Sequence, residues 1–290
     1  FTLAHPREHS RMLVIFLKDM SLLGKLIPEV LAFKPESFES YDDHTFEIAI
    51  RYFADIAKRL KGNIFSLGFR FLPEFWSMIS GGVPKLVLIA EFTADSDEEA
   101  EALAREAKNG IRHFKMPARI TRSAKESEKY WVIRRESFNL LRRHTHGKRT
   151  APFIDDIVVS PKDLPAFLPR LYGILDQYDI TYTVAGHVGD GNFHIIPLMD
   201  MGKPEAVRVI QELSEKVYDL VLSYRGSITG EHNDGIIRTP YLPKMYGDTV
   251  YRLFEEVKRI FDPQGIFNPG KKVGGTLAYA FSHIRKKTEK

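Results

Sequence analysis

Three imidazoles and a carboxylate stand in two short glycine-bearing stretches in the second half of this 290-residue chain. The first reads Gly186-His187-Val188-Gly189-Asp190-Gly191-Asn192-Phe193-His194. The second reads Ser227-Ile228-Thr229-Gly230-Glu231-His232-Asn233-Asp234-Gly235. Two histidines and one carboxylate suit a divalent ion such as zinc, manganese, iron or cobalt, and they leave coordination positions open for a substrate. Asp-Gly is a favoured centre for a two-residue hairpin turn. With Asp190 and Gly191 at that centre, His187 falls opposite His194, with Cβ atoms about 4.5–5.5 Å apart on one sheet face. With Gly191-Asn192 at the centre, His187 would face Ile196 instead. The glycines also fit a looser loop that brings a ligand close to the backbone. Glu231 offers the oxygen ligand. If Glu231 and His232 are extended, their side chains leave on opposite sides, so that Glu231 reaches the metal and His232 faces a reacting group as its base. The plainer alternatives stay open on these residues alone: a hairpin with two ordinary polar histidines, and an acid that caps a helix beside a solvated histidine.

A third stretch, from Phe261-Asp262-Pro263 through Phe267-Asn268-Pro269-Gly270-Lys271-Lys272, contains two turns built on Pro and Gly and reads as a defined connector.

The elements that must position these groups follow from periodicity. Strands are expected at 12–17, 38–41, 84–92, 118–122, 154–159, 181–185 and 193–199. Helices are expected at 21–32, 44–60, 126–143, 163–179, 205–224 and 248–261, with another running from an N-cap at Asp95 or Asp97 to about 114. Residues 144–152 read as a basic loop and 227–237 as extended or loop. The alternation predicts an α+β fold: an antiparallel sheet covered by helices, a ferredoxin-like duplicated cap, then a C-terminal helical and loop segment. A parallel doubly wound sheet is the competitor. No G-x-G-x-x-G follows a strand, so a Rossmann dinucleotide site is not supported.

Composition narrows the classes. There are no cysteines, which excludes disulfides and any cysteine-ligated iron–sulfur or zinc site within the chain. The 42 basic and 38 acidic residues are interspersed, which argues against a nucleic-acid surface. No apolar run reaches membrane-spanning length and no signal peptide is visible. A cytoplasmic location is expected, with peripheral attachment to the inner membrane as the variant.

Taken together, the three stretches, in this order and spacing, resemble the C-terminal domain of FAD-linked oxidases. The branch is the one with D-lactate and D-2-hydroxyglutarate dehydrogenases and glycolate oxidase subunits, within the vanillyl-alcohol-oxidase-type flavoproteins. The resemblance runs from the strand at Met12 to Lys272. It implies that His187, His194 and Glu231 bind a divalent metal and that His232 is the general base. It also implies that Arg134 pairs with a substrate carboxylate, and that Asn268 and Asn192 lie toward the flavin. Some relatives carry a substrate-binding lysine near residue 154, where this chain has Ile154; the basic pair Lys148-Arg149 is the candidate replacement. Phe138 stands where some relatives have a threonine. The implied activity is oxidation of a D-2-hydroxy acid of the lactate, 2-hydroxyglutarate or glycolate type by proton abstraction and hydride transfer to FAD. The implied partners are that substrate, an N-terminal FAD-binding domain and an iron–sulfur electron-acceptor module.

The expected layout is the end of the FAD-binding domain at 1–10, a cap domain at 11–225, a segment returning to the flavin site at 226–275, and a basic tail at 276–290. The aromatic stretch 62–82 is expected to contact the FAD domain. This chain alone is expected to hold FAD weakly or not at all and to be inactive. A metal-dependent hydrolase with the same ligands, or a non-catalytic binding domain, are the competing functions.

Overall fold

The structure, a computed structural model, describes residues 7–45, 47, 83–144 and 147–284, without the side chains of 136–144. The aromatic stretch 62–82 and most of the helix expected at 44–60 lie outside the described residues.

The run at Met12–Leu17 is apolar without alternation because both faces of its strand are covered. Leu13, Ile15 and Leu17 of β1 (His9–Leu17) join the main core, and Met12 and Val14 on the other face are equally buried. The chain continues through α1 (Leu23–Leu31), β2 (Ser37–Asp42), β3 (Leu86–Ala94), α2 (Asp97–Gly110) and β4 (Ala118–Ile120). These strands lie in the order β4-β1-β3-β2 with every pairing antiparallel, which is the ferredoxin-like arrangement. The cap of α2 is Ser96, between the two expected aspartates; its hydroxyl accepts from Glu99 N at 3.1 Å. Asp97 instead binds Arg11 at 2.8 Å, so its carboxylate is committed to the neighbouring strand.

A connecting helix, α3 (Ala124–His144), leads to β5 (Arg149–Thr150), β6 (Ile157–Val158), α4 (Leu164–Leu175), β7 (Thr181–His187), β8 (Asn192–Met199) and α5 (Ala206–Ser223). β8 pairs with β7 and, on its other edge, with β6 and β5. After α5 the chain returns as a single antiparallel bridge from Ser227 to Val158. Counting that bridge as a fourth strand, the order Ser227-β6-β8-β7 repeats the arrangement of the first half. The fold is therefore two ferredoxin-like units joined edge to edge through β2 and β7, with Ser40 opposite Gly186 and Tyr41 opposite Ala185. Helices α1, α4 and α5 pack their apolar stripes, including Leu26, Leu171 and Val217, on one core.

Three expectations change. The loop 144–152 contains β5. The strand expected at 154–159 shrinks to Ile157–Val158, because Asp156 takes a left-handed φ of 66° and bends the chain. The segment 227–237 is a loop of tight bends after the Ser227 bridge, as expected up to Asp234, and its last residues enter a short helix, α6 (Gly235–Arg238). The last long helix, α7 (Leu242–Phe261), is interrupted at Gly247, whose φ of 74° separates a first turn from the stretch expected from Asp248 onward.

Candidate functional site

The histidine hairpin has a wider turn than Asp190-Gly191 alone would make. His187 pairs with Asn192 and Ala185 with His194, leaving residues 188–191 as the turn. Gly191 explains the difference. Its φ is 68°, and a Cβ there would lie 1.8 Å from Val159 O; Val159 N in turn donates to Gly191 O at 3.0 Å. This contact with the strand beyond moves the centre of the turn back to Gly189-Asp190. The register shift is two residues, so both histidines stay on the same face. They are diagonal neighbours with ring centroids 5.4 Å apart.

One residue beyond the last β2–β7 pair, Glu39 falls opposite His187. Its Oε1 is 2.7 Å from His187 Nδ1, and its Oε2 is 2.5 Å from Arg134 Nη2. With Nδ1 engaged by Glu39, His187 turns Nε2 toward Glu231, whose Oε1 is 2.9 Å away. Hydrogen bonding to Glu39 holds His187 above the ordinary histidine range although burial opposes it.

Asp155, just before β6, reaches two imidazoles: His194 Nδ1 at 3.1 Å and His232 Nδ1 at 3.4 Å. The two rings stack at 5.1 Å with planes 15° apart. Engagement at Nδ1 leaves each Nε2 available. Glu231 and His232 were expected on opposite sides of an extended backbone. They instead share one bend, and His232 Nε2 lies 3.9 Å from Glu231 Oε2.

That bend is set by Asp156. The backbone N–H groups of Gly230, Glu231 and His232 all donate to its carboxylate, each at 2.9 Å. Asn192 Nδ2 adds a bond at 3.0 Å and Arg238 an ion pair at 3.4 Å. Burial works against the ionised carboxyl, but the three N–H donors and Asn192 outweigh it and bring its pKa down to about 2. Gly230 is required here, since a Cβ would lie 2.5 Å from Asn192 Nδ2 and 2.9 Å from Asp156 Oδ1.

The donor set fits a divalent ion. One ligand atom from each of His187, His194 and Glu231 lies within 4.8 Å of the other two. Metal–ligand bonds of about 2.0–2.2 Å in a tetrahedral site would place such atoms about 3.3–3.6 Å apart. Asp155, His194 and His232 meet the same distance test. Because Asp155 meets both rings at Nδ1, one carboxylate orients the two imidazoles together.

The profile of the family described as "FAD linked oxidases, C-terminal domain" matches residues 6–272. The chain belongs to the FAD-linked oxidase family. It is 26% identical over 242 residues to a D-2-hydroxyglutarate dehydrogenase of Pseudomonas putida, covering 83% of this chain and 23% of that protein. It is 28% identical over 155 residues to the glycolate oxidase subunit GlcD of Escherichia coli K12, covering 53% of this chain and 30% of that one. The chain thus spans less than a third of the length of these two relatives. Among solved structures, substrate-bound p-cresol methylhydroxylase superposes with a TM-score of 0.63 at 11% identity, over 94% of this chain and 54% of that one. That likeness bears on the fold.

Within this FAD-linked oxidase domain, the other expected residues are placed as follows. Arg134 adjoins the cluster through Glu39. Asn192 is buried and donates to Asp156 and to Ile157 O. Arg149 lies opposite Met199, five residues along β8 from His194, and Lys148 lines a cleft with Asp179, Asp200 and Lys203; neither is brought to the cluster. Ile154 is fully buried in the core, and the Phe138 side chain lies outside the described residues. Asn268 is exposed with a left-handed φ of 49°. Its loop is tied down by Asp262, which accepts from Ile266 N and Phe267 N at 2.9 Å, and by Lys272, which donates to Thr239 and pairs with Asp234. Glu39, Asp155, Asp156 and Arg238 are absent from the sequence reading. The available signal was acids inside apolar runs, Phe38-Glu39 and Ile154-Asp155-Asp156-Ile157, where a charge must find a partner.

Proposed function

We propose that this domain is the substrate- and metal-binding part of an FAD-dependent dehydrogenase that oxidises a small D-2-hydroxy acid of the lactate, 2-hydroxyglutarate or glycolate type. The observation that carries the reading is the convergence of His187, His194 and Glu231 beside a fourth group, His232, which shares the Asp155 carboxylate with His194. His187, His194 and Glu231 hold a divalent zinc, manganese, iron or cobalt ion. His232 takes the proton of the substrate 2-hydroxyl at Nε2, since Asp155 engages Nδ1; an imidazole suits this task near neutral pH. Arg134 pairs with the substrate carboxylate, and Lys148 and Arg149 are the candidates for a more distant anionic group. Held by His187, His194 and Glu231, a divalent ion would supply Lewis-acid stabilisation of charge on the substrate oxygen, and the flavin would supply the hydride acceptor.

The flavin is held mainly by another part of the full-length protein, with Asn268 and Asn192 on the side that approaches it, and an iron–sulfur module is the proposed electron acceptor. Residues 226–275 form the segment that returns to that part. Its apolar stripe supports this: Leu253, Val257, Ile260 and Phe261 on α7 are exposed, as are Ile266 and Phe267 beyond it. No helix among the described residues is long and apolar enough to cross a membrane.

The test has two arms. Metal analysis of this chain beside a His187→Ala, His194→Ala double variant should show near-stoichiometric metal lost on substitution. In the full-length enzyme, His232→Ala should keep its metal and lose reduction of FAD by substrate. Metal content indifferent to the double substitution removes the centre, and unchanged flavin reduction removes His232 as the base.

A further inference from the structure

Glu39 belongs to none of the stretches that carry the site. It comes from the first ferredoxin-like unit, whereas His187, His194 and Glu231 come from the second and its return segment. Its side chain is 6% exposed, and its two oxygens face different partners. Oε1 lies 2.7 Å from His187 Nδ1 and Oε2 lies 2.5 Å from the Arg134 guanidinium. One buried carboxylate therefore serves an imidazole of the metal set and the arginine of the anion site.

We propose that Glu39 is a positioning residue that couples the metal centre to Arg134, so that metal affinity depends on Arg134 through Glu39. This rests on the metal-centre reading above. The physical argument has two steps. A carboxylate on the far nitrogen of a ligand histidine fixes the tautomer and raises the donor strength of the other nitrogen, and losing it lowers metal affinity about 10–100-fold. Arg134 pulls on the same carboxylate from Oε2, leaving less of its charge for His187; its own positive charge also opposes a cation nearby. Arg134 thus weakens the metal site, and does so mostly by way of Glu39. If Glu39 were instead only the buried counter-ion that keeps Arg134 in the fold, its loss would lower the melting temperature and leave metal affinity in the folded protein unchanged.

The test is a double-variant cycle on the full chain, read by cobalt(II) and zinc titration at a temperature well below each variant's melting point. Glu39→Gln is expected to lower affinity about 10–100-fold and to shift the visible absorption band of the cobalt form. Arg134→Gln is expected to raise affinity several-fold alone and to have a smaller effect in the Glu39→Gln background. Glu39→Asp keeps the charge but is one methylene too short to reach both partners; it should also diminish the Arg134 effect, and it carries the test if Glu39→Gln does not fold. Wild-type cobalt affinity and spectrum in the folded Glu39 variants overturn the proposal. So does an Arg134→Gln effect of the same size in all backgrounds. Loss of metal in the His187→Ala, His194→Ala variant alongside an additive cycle would sink the coupling alone and leave the metal centre standing.

Discussion

Replacing Asp156 by Asn keeps the size of the side chain and removes the charge on which the loop at 230–232 converges. An amide offers one acceptor oxygen in place of two and turns an NH2 group against backbone N–H donors. The ionised form is favoured in the folded chain by a drop in pKa from 3.8 to about 2, which corresponds to about 2.5 kcal/mol. The substitution also deprives buried Arg238 of its carboxylate, which raises the cost toward about 5 kcal/mol, although Arg238 keeps its contact with Asn233 O. For a chain of this length the expected fall in melting temperature is about 4–8 °C. It should be measured by calorimetry from pH 7 downward. The unfolded chain takes up the proton first, at its ordinary carboxyl pKa, so the stabilisation is whole above about pH 4 and disappears as the pH falls toward 2. Wild-type and variant melting temperatures should therefore converge across that window. Metal affinity measured at pH 7 should fall at least about tenfold, since the loop that carries Glu231 loses its anchor. A variant that melts and binds metal like the wild type would show that something other than Asp156 holds the loop, and the reasoning would be wrong.

Gly230→Ala tests the same loop by steric means: its methyl must displace Asn192 or Asp156, so weaker metal binding is expected in a chain that still folds, and undiminished affinity in a zinc titration would count against the close packing described. At the other end of β2, donation of a hydrogen bond to the Asp42 carboxylate holds the His44 imidazole above its ordinary range against the effect of burial, aided by the charges of Asp42, Asp43 and Glu47. The stabilisation it gives is present at acid pH and is lost as the pH rises through the raised value. Titration followed by NMR should show the midpoint fall in Asp42→Asn, and an unmoved midpoint would exclude Asp42 as the cause. That variant keeps an oxygen that can accept from Thr45 N, where Asp42 now accepts at 2.9 Å, so the cap survives the substitution.

Periodicity was enough for most helices and for the strands of the sheet, because their apolar stripes are repeated signals over many residues, whereas strand direction, which decides against the parallel competitor, comes from the pairing. The histidine pair was legible for a related reason: a strand alternates every residue, so a register two residues away from the expected one still placed both imidazoles on one face. The turn itself was not legible, because its width depends on Gly191 meeting Val159, more than thirty residues away in sequence. Glu39, Asp155 and Asp156 sit in apolar strand-like runs, which signals that each acid needs a partner, but nothing local tells which partner that is. Likewise the bend at 230–232 depends on a carboxylate far upstream, so a local reading left the segment extended or loop, with Glu231 and His232 on opposite sides only if extended.

The distance along the chain between that carboxylate and its donors also has a temporal meaning. Asp156 and the N–H groups it gathers are 74–76 residues apart, and the bridge between Val158 and Ser227 closes a similar interval. During synthesis His187 and His194 leave the ribosome well before Glu231, and their hairpin forms first, since its contacts are local. For that interval the chain displays an imidazole pair without the Glu231 carboxylate that later joins it. A metal met then would find only a loose, open site. On the proposed metal-centre reading, loading would follow closure of the second unit, and retained metal would report that the last long-range contacts of the fold have been made.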